Sequence, residues 1–315
     1  MTATFYSNGK LLLTGEYLVL EGCQALALPL RRGQSLSVSS GNTPGQILWK
    51  SFYNQKLFFE GIYSLRDKTF TKSTNNLISN YLKRILNFTT ESLSQKVHSN
   101  GTIINTHIDF PLEWGLGSSS TLINNLANWL QIDPFQLNHQ MNAGSGYDIA
   151  CARSEQALIY QLKKGQPAYE TIHFNPPFRD QLYLIYTGKK QDSQKEVEKF
   201  MNQPSYGQKD IKEIHSINQQ IREAVTLSDF EKAIRKHEQL MANILKSPPV
   251  KEHKFPDYPG TLKSLGAWGG DFILATWTKS REELVEYFKQ YNLQTMFSWE
   301  ELIKNHRDVK QEIQR

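Results

Sequence analysis

A short run of glycine and serine residues is the segment of this chain best suited to chemistry. The run Gly115-Leu116-Gly117-Ser118-Ser119-Ser120 places two glycines before three hydroxyl side chains. Glycine adopts backbone conformations closed to other residues and lets amide groups approach an anion closely. The serines begin a predicted helix, whose positive dipole end also favours an anion. The run therefore predicts a phosphate-binding loop, although an ordinary serine-capped turn between a strand and a helix would have the same local sequence.

Two other phosphate-binding motifs are excluded. The chain has no Gly-x-x-x-x-Gly-Lys-Ser/Thr segment, so it does not contain a P-loop. A dinucleotide-binding fingerprint needs a third glycine where Ser120 stands, and no clean βαβ unit surrounds the run.

Three other segments carry groups that suit the handling of a phosphate. Lys10 follows Ser7-Asn8-Gly9, which we interpret as a glycine turn beside a strand. Asp148 follows the turn Gly144-Ser145-Gly146, where the aspartate would otherwise be a helix cap. A second glycine-rich loop, residues 266–270, leads into a predicted strand.

Composition excludes several classes of protein. The 315 residues are 39% apolar and 21% charged, which is typical of a folded globular chain. The net charge of +5 is spread along the chain and forms no basic stripe, so we expect no nucleic-acid partner. No apolar run approaches the roughly 20 residues of a membrane span, and we see no secretion signal. Two cysteines suit a reducing compartment, so we expect a soluble cytoplasmic protein.

Hydrophobic periodicity predicts an α+β fold. Strands are expected at 24–30, 34–39, 102–108, 156–162, 182–187 and 272–277, with a hairpin over 47–59. Helices are expected at 74–86, 134–142 and 281–291, with a further helix after Ser120 and a polar helical stretch over 193–245. Connectors at Gly165-Gln166-Pro167 and Asn175-Pro176-Pro177 suggest two domains, residues 1–165 and 166–315.

Taken together, the lysine segment, the glycine-serine loop and the second glycine loop resemble the signature set of the GHMP kinase superfamily. The three occur in the family's order between residues 7 and 277. The resemblance implies a two-domain α+β fold with the active site in the cleft between domains. It implies an ATP-dependent, Mg²⁺-dependent phosphotransferase acting on a small anionic or alcohol acceptor, either as a monomer or as a homodimer.

The resemblance also implies roles for individual residues. Pro111 and residues 115–119 match the family's phosphate-binding motif, and Ser119 matches the usual Mg²⁺ ligand. Ser120 follows in the same loop and is expected to bind the nucleotide with it. Lys10 and Asp148 match the catalytic lysine and aspartate, the latter accepting or orienting the proton of the acceptor oxygen. Residues implied on the acceptor side are Glu16, Ser145, Gly146, Lys189, Gly269 and Gly270.

The acceptor implied by the resemblance is phosphomevalonate, with mevalonate as the alternative. Gly15-Glu16-Tyr17, the Gly-Ser-Gly-x-Asp form and Gly269-Gly270-Asp271 look more like phosphomevalonate kinases. Lys189 and Lys190 would face an anionic acceptor, or would lie in a surface loop.

Three departures from the family pattern leave a further alternative open. The segment between Ser119 and Asp148 is short, residues 137–140 contain no carboxylate for a second Mg²⁺ ligand, and Trp268 replaces a glycine-type residue. Ser119, phosphates and water would then hold the metal, which Mg²⁺ tolerates. The alternative is a protein of this fold that binds a ligand without catalysis.

Overall fold

The computed structural model describes residues 2–142, 144–188, 193–202, 206–266, 268 and 270–305. The chain divides into two compact units. The first comprises Met1–Gly9, Arg32–Leu112 and Leu116–Arg153; the second comprises Lys10–Arg31, Glu113–Gly115 and Ser154–Arg315. We predicted a single boundary at residue 165, which divides the chain into an N-terminal and a C-terminal part. In the structure each unit consists of three separate segments, because two long strands contribute residues to both units.

The first unit is built on a sheet with the strand order β5-β4-β3-β6-β2. Adjacent strands are antiparallel, except that β3 and β6 are parallel, and β1 pairs with β2. The strands are β1 (Ala3–Thr14), β2 (Ala25–Ser40), β3 (Gln46–Tyr53), β4 (Lys56–Ser64), β5 (Thr69–Ser73) and β6 (Thr102–Ile108).

Two helices of the first unit begin at a side-chain cap. The Asn75 side chain accepts from the amides of Leu77 and Ile78, and Asp133 accepts from the amide of Phe135 at 2.8 Å. Such caps stabilise a helix by about 1 kcal/mol. The helices are α1 (Asn76–Phe88), α2 (Thr90–Lys96), α3 (Ser118–Leu130), α4 (Pro134–Met141) and α5 (Tyr147–Ala152).

Helix α3 is held by its apolar face. Ile123, Leu126, Ala127 and Leu130 recur at helical spacing and are all buried in a core shared with Trp49 of β3. Burying each large apolar side chain contributes roughly 1.5–3 kcal/mol before entropy is counted. This packing fixes the helix, and thereby the position of the serines at its N-terminus.

The second unit contains a hairpin where we expected a connector. Strands β7 (Leu158–Lys163) and β8 (Gln166–Thr171) pair with Lys163 opposite Gln166. The two turn residues, Lys164 and Gly165, both have positive φ, which is the geometry of a tight two-residue hairpin turn. The predicted connector at Gly165 was therefore wrong, because its turn chemistry serves a hairpin.

The rest of the second unit is a four-stranded antiparallel sheet and a set of helices. The sheet order is β10-β11-β9-β12, from β9 (Leu182–Tyr186), β10 (Leu262–Leu265), β11 (Phe272–Thr276) and β12 (Met296–Ser298). The helices are α6 (Ser193–Asn202), α7 (Gln208–Glu223), α8 (Leu227–Leu245), α9 (Val250–Lys254), α10 (Arg281–Lys289) and α11 (Trp299–Leu302). Within the described ranges, none of the helices has the length and apolar character that a membrane crossing requires.

One local prediction near the N-terminus was wrong. Gly9 lies inside strand β1 rather than in a turn. The segment is buried: Ser7 is fully buried and donates to the Asn125 side chain of α3 at 2.7 Å, while Asn8 is also buried. Because β1 pairs with β2, the backbone groups of this segment have hydrogen-bond partners in the sheet, and Gly9 is extended like its neighbours.

Candidate functional site

The N-terminus of α3 has the backbone of an anion-binding site. Gly117, the residue before the helix, has φ of +97°, and no side chain of the described residues caps the first turn. The hydroxyl of Ser120 instead donates back to the Gly117 carbonyl at 2.9 Å. First-turn amides that lack a side-chain acceptor are available to an anion. Leu116 is buried and anchors the loop, and Pro111 follows β6 just before it.

Ser119 is held by two residues that the sequence did not single out as site residues. Its hydroxyl is hydrogen-bonded to the hydroxyl of Tyr81 from α1, and the side-chain amide of Asn142 donates to it at 3.3 Å. Asn142 follows α4 and also donates to the Asn138 side chain at 3.0 Å. Burial raises the pKa of Tyr81, which keeps the phenol protonated. Ser119 is thus oriented by one residue of α1 and by the residue that follows α4. The signal in the sequence was the hydroxyl of Tyr81 on the apolar face predicted for α1.

Asp148 lies in the first turn of α5, after Gly146 with φ of +86°. Its Oδ1 accepts from the Ile149 amide at 3.1 Å, and its charge contributes to the raised pKa of Tyr81. Ser145 is buried and its hydroxyl accepts weakly from the Tyr147 amide at 3.5 Å. Tyr81 therefore faces both Ser119 and the charge of Asp148 within the first unit.

The second unit brings Lys10, Gly115 and Asp271 together. The Lys10 ammonium donates to the Gly115 carbonyl at 2.8 Å. Gly115 has φ of +67°, and a Cβ placed there would lie 1.8 Å from Oδ2 of Asp271. Only glycine fits such a position, both for its backbone angle and for the carboxylate packed against its Cα. The lysine segment and the residue after the second glycine loop thus meet at Gly115, the first residue of the glycine-serine loop.

Local packing holds these three segments in place. Trp114 packs against Tyr186, Phe272 and Phe297 with centroid separations of 5.8, 6.0 and 5.3 Å. Thr187 donates through its amide to the Asp271 carbonyl at 2.9 Å and through its hydroxyl to the Gly270 carbonyl at 2.8 Å. The backbone around Gly270 is therefore tied to the end of β9.

Glu16 lies in a buried ionic cluster. Its side chain is 2% exposed, its Oε1 accepts from Lys263 at 2.5 Å, and its Oε2 lies 3.2 Å from Nε2 of His237. Burial opposes ionisation of this carboxyl, but the Lys263 charge and His237 outweigh burial and lower its pKa. The carboxylate of Glu16 is thus occupied by partners from β10 and α8.

A cavity in the first unit begins at the serines of the loop. It has a volume of about 350 Å³, and Ser118 and Ser119 line it together with a mainly apolar set of side chains. That set includes Trp49, Phe58, Leu77, Ile78 and Leu122. The glycine-serine loop therefore borders an apolar cavity large enough for a small planar group.

The described residues offer little for a metal besides the loop. Among them, no cluster of three or more His, Cys, Asp or Glu residues could hold a metal ion. The hydroxyl of Ser119, a hard oxygen ligand, fits a Mg²⁺ ion that takes its other ligands from phosphates and water. Two residues that the resemblance implies on the acceptor side lie outside the described residues, namely Lys189 and Gly269. The same holds for Lys190.

No protein-family model matches the chain, and no curated protein resembles it significantly in sequence. Solved structures do match. The mevalonate kinase of Methanococcus jannaschii is 17% identical with a TM-score of 0.67, over 94% of this chain and 97% of that one. The phosphomevalonate kinase of Streptococcus pneumoniae, solved with phosphomevalonate and AMPPNP, is 15% identical with a TM-score of 0.66, over 94% and 99%.

A third similar structure is the galactokinase of Lactococcus lactis, solved with galactose. It is 14% identical with a TM-score of 0.67, over 96% of this chain and 93% of that one. At such identities the likeness shows the fold. The α+β fold of the GHMP kinases, predicted from three short motifs, is confirmed over nearly the whole chain.

Proposed function

We propose that this protein is an ATP-dependent small-molecule kinase. The observation that carries the proposal is the position of Ser118 and Ser119, which begin α3 and also line the apolar cavity. A nucleoside triphosphate has the matching polarity, with an anionic phosphate chain at one end and a flat base at the other. Phosphates would bind at the α3 N-terminus, and the base would enter the cavity beside Trp49 and Ile78.

The side chains of the site suit phosphoryl transfer, which depends mainly on positioning and on charge stabilisation. Bound Mg²⁺-ATP supplies the phosphoryl group and neutralises part of its charge. Ser119, oriented by Tyr81 and Asn142, would hold the metal. Lys10, oriented by the Gly115 carbonyl, would stabilise negative charge on the transferred group. Asp148 would orient the acceptor oxygen or take its proton.

For the acceptor we favour phosphomevalonate, with mevalonate as the alternative. The support is the Gly-Glu-Tyr and Gly-Gly-Asp segments. A fold shared with a phosphomevalonate kinase and a mevalonate kinase is compatible with either acceptor. Ser145, Gly146 and Gly270 would contact the acceptor.

A coupled assay of ADP release tests the proposal. The purified protein is incubated with ATP, Mg²⁺ and, separately, mevalonate, phosphomevalonate, homoserine, galactose and other free sugars. We expect turnover on phosphomevalonate. Turnover on another acceptor would support a kinase with a different substrate. ATP binding without turnover on any acceptor would instead support the alternative, a ligand-binding protein of the same fold.

A further inference from the structure

A buried cluster of ionisable side chains lies outside the residues that would touch the nucleotide. Glu16 follows β1, His237 and Glu238 belong to α8, and Lys263 belongs to β10. Their side chains are 2%, 0%, 5% and 0% exposed, respectively. The Lys263 ammonium donates to Glu16 at 2.5 Å and lies 3.5 Å from Glu238.

Stability alone does not account for such a cluster. Removing two charges from water costs several kcal/mol per ion, and apolar residues of similar size often serve a core at least as well. Losing one partner, by contrast, leaves an uncompensated buried charge. A buried ion pair therefore enforces one arrangement of the segments it joins.

The segments joined here are two of the chemical motifs. Glu16 lies in the turn Gly15–Tyr17, just after the strand that carries Lys10, and Lys263 lies three residues before Gly266, where the second glycine loop begins. A second bond joins the same segments, since the Trp268 amide donates to the Tyr17 hydroxyl at 2.8 Å. Tyr17 has φ of +59° and ψ of −48°, and such a positive φ is unfavourable for a tyrosine and is held here by its surroundings.

We propose that Glu16 and Lys263 are positioning residues whose buried ion pair fixes the second glycine loop against the Gly15–Tyr17 turn. Glu16 then acts through Lys263 and does not touch the acceptor. The hydrogen bond from the Trp268 amide to the Tyr17 hydroxyl joins the same two segments at a second point. The kinetic part of this inference rests on the proposed function, because it assigns the second glycine loop to the acceptor side; the structural part does not.

Three variants separate positioning from stability: Glu16→Gln, Lys263→Met and the double variant. Each single variant leaves a buried charge with its main partner removed, so both should unfold at lower denaturant concentration than the parent. The double variant removes both charges and should regain most of the lost stability. It does not restore the directional bond between the turn and β10.

Hydrogen exchange at the Trp268 amide is the structural readout, because that amide donates to Tyr17. The Ile172 amide, which donates to the Ala157 carbonyl at 2.7 Å, is the internal reference. We expect exchange at Trp268 to accelerate by at least about tenfold in the double variant, with Ile172 unchanged. If the double variant regains both its stability and its Trp268 protection, the pair only stabilises the core and the proposal is overturned.

Kinetics give the second readout. In the double variant the KM for the acceptor should rise by about tenfold, while the KM for ATP should change less than about twofold. An equal rise in both constants would contradict a role on the acceptor side. If the parent turns over no acceptor, the proposed function fails, yet the exchange experiment still decides whether the pair positions the loop. A single variant that does not fold leaves the double variant to decide.

Discussion

The Lys10 ammonium donates a 2.8 Å hydrogen bond to the carbonyl of Gly115, and the Asp271 carboxylate packs against the Cα of the same glycine. Three segments that lie far apart in the chain are therefore organised around one residue without a side chain. A residue with any side chain at this position would displace the Asp271 carboxylate. Gly115 is accordingly a position where one added methyl group should disturb both Asp271 and the loop that begins there.

Gly115→Ala should raise the KM for ATP by about tenfold or more, since the added methyl group would displace Asp271 and shift the phosphate loop. The coupled ADP assay measures this. Gly45→Ala is the matched control, because Gly45 has a similar φ of +73° but a Cβ there would meet nothing within 4 Å. The control should lose about 1 kcal/mol of stability from backbone strain and keep its KM. Equal KM values for the two variants would remove Gly115 from the site.

Tyr81→Phe should raise the Mg²⁺ concentration needed for half-maximal activity by about threefold to tenfold, because Ser119 loses one of the groups that orient it. Ser119→Ala should have a larger effect in the same direction. Titration of Mg²⁺ at saturating acceptor measures both. Tyr63→Phe is the control: burial also raises the pKa of Tyr63, and its hydroxyl donates to Asn87 at 2.5 Å instead. An unaltered metal dependence in Ser119→Ala would assign the ion to other ligands.

Asp148→Asn should lower kcat by at least about 10²-fold, in the range expected for a positioned acid–base group, while nucleotide binding is retained. Single-turnover kinetics and a nucleotide-binding titration measure the two quantities separately. Asp180→Asn, at an exposed aspartate near the start of β9, is the matched control and should be neutral. Turnover of Asp148→Asn at the parent rate would exclude this carboxylate from the mechanism.

The Glu238 carboxyl should make stability depend on pH. Burial raises its pKa to about 7, although the Lys263 charge opposes the shift. Because the folded pKa exceeds the ordinary 4.5, the folded state favours the protonated form. The contribution of the Glu238 carboxyl to the free energy of unfolding is therefore present in full below pH 4.5 and is lost as the pH rises to about 7. The charged or titratable groups nearby are Glu16, His237 and Lys263 in the cluster, and Arg235, Lys251 and Glu252 around the adjoining cavity.

Glu238→Gln removes this titration, so its gain in unfolding free energy over the parent should grow between pH 4.5 and pH 7. The difference should reach on the order of 3 kcal/mol above pH 7. Urea unfolding of both proteins at four pH values from 5 to 8 measures it. Glu252→Gln, at an exposed carboxyl beside the same cavity, is the control for the same substitution at the surface. A difference between Glu238→Gln and the parent that stays constant over this pH range would show that Glu238 is ionised throughout.

The sequence by itself determined the features that depend on local chemistry. The caps at Asn75 and Asp133, the buried face of α3 and the glycine-serine loop before it all follow from residues close together in the chain. Three short motifs in order were enough to predict a fold that solved structures share at 14–17% identity. Such features can be predicted from the sequence because their physical causes act over a few residues.

Only the tertiary structure decided what depends on contacts between distant segments. It showed that Gly9 continues a strand, that Gly165 closes a hairpin, and that Tyr81 and Asn142 orient Ser119. It also showed Glu16 bound to Lys263, whose partner choice no local pattern encodes. A buried polar side chain takes whichever partner the packed core brings to it, and that choice is made by the whole fold.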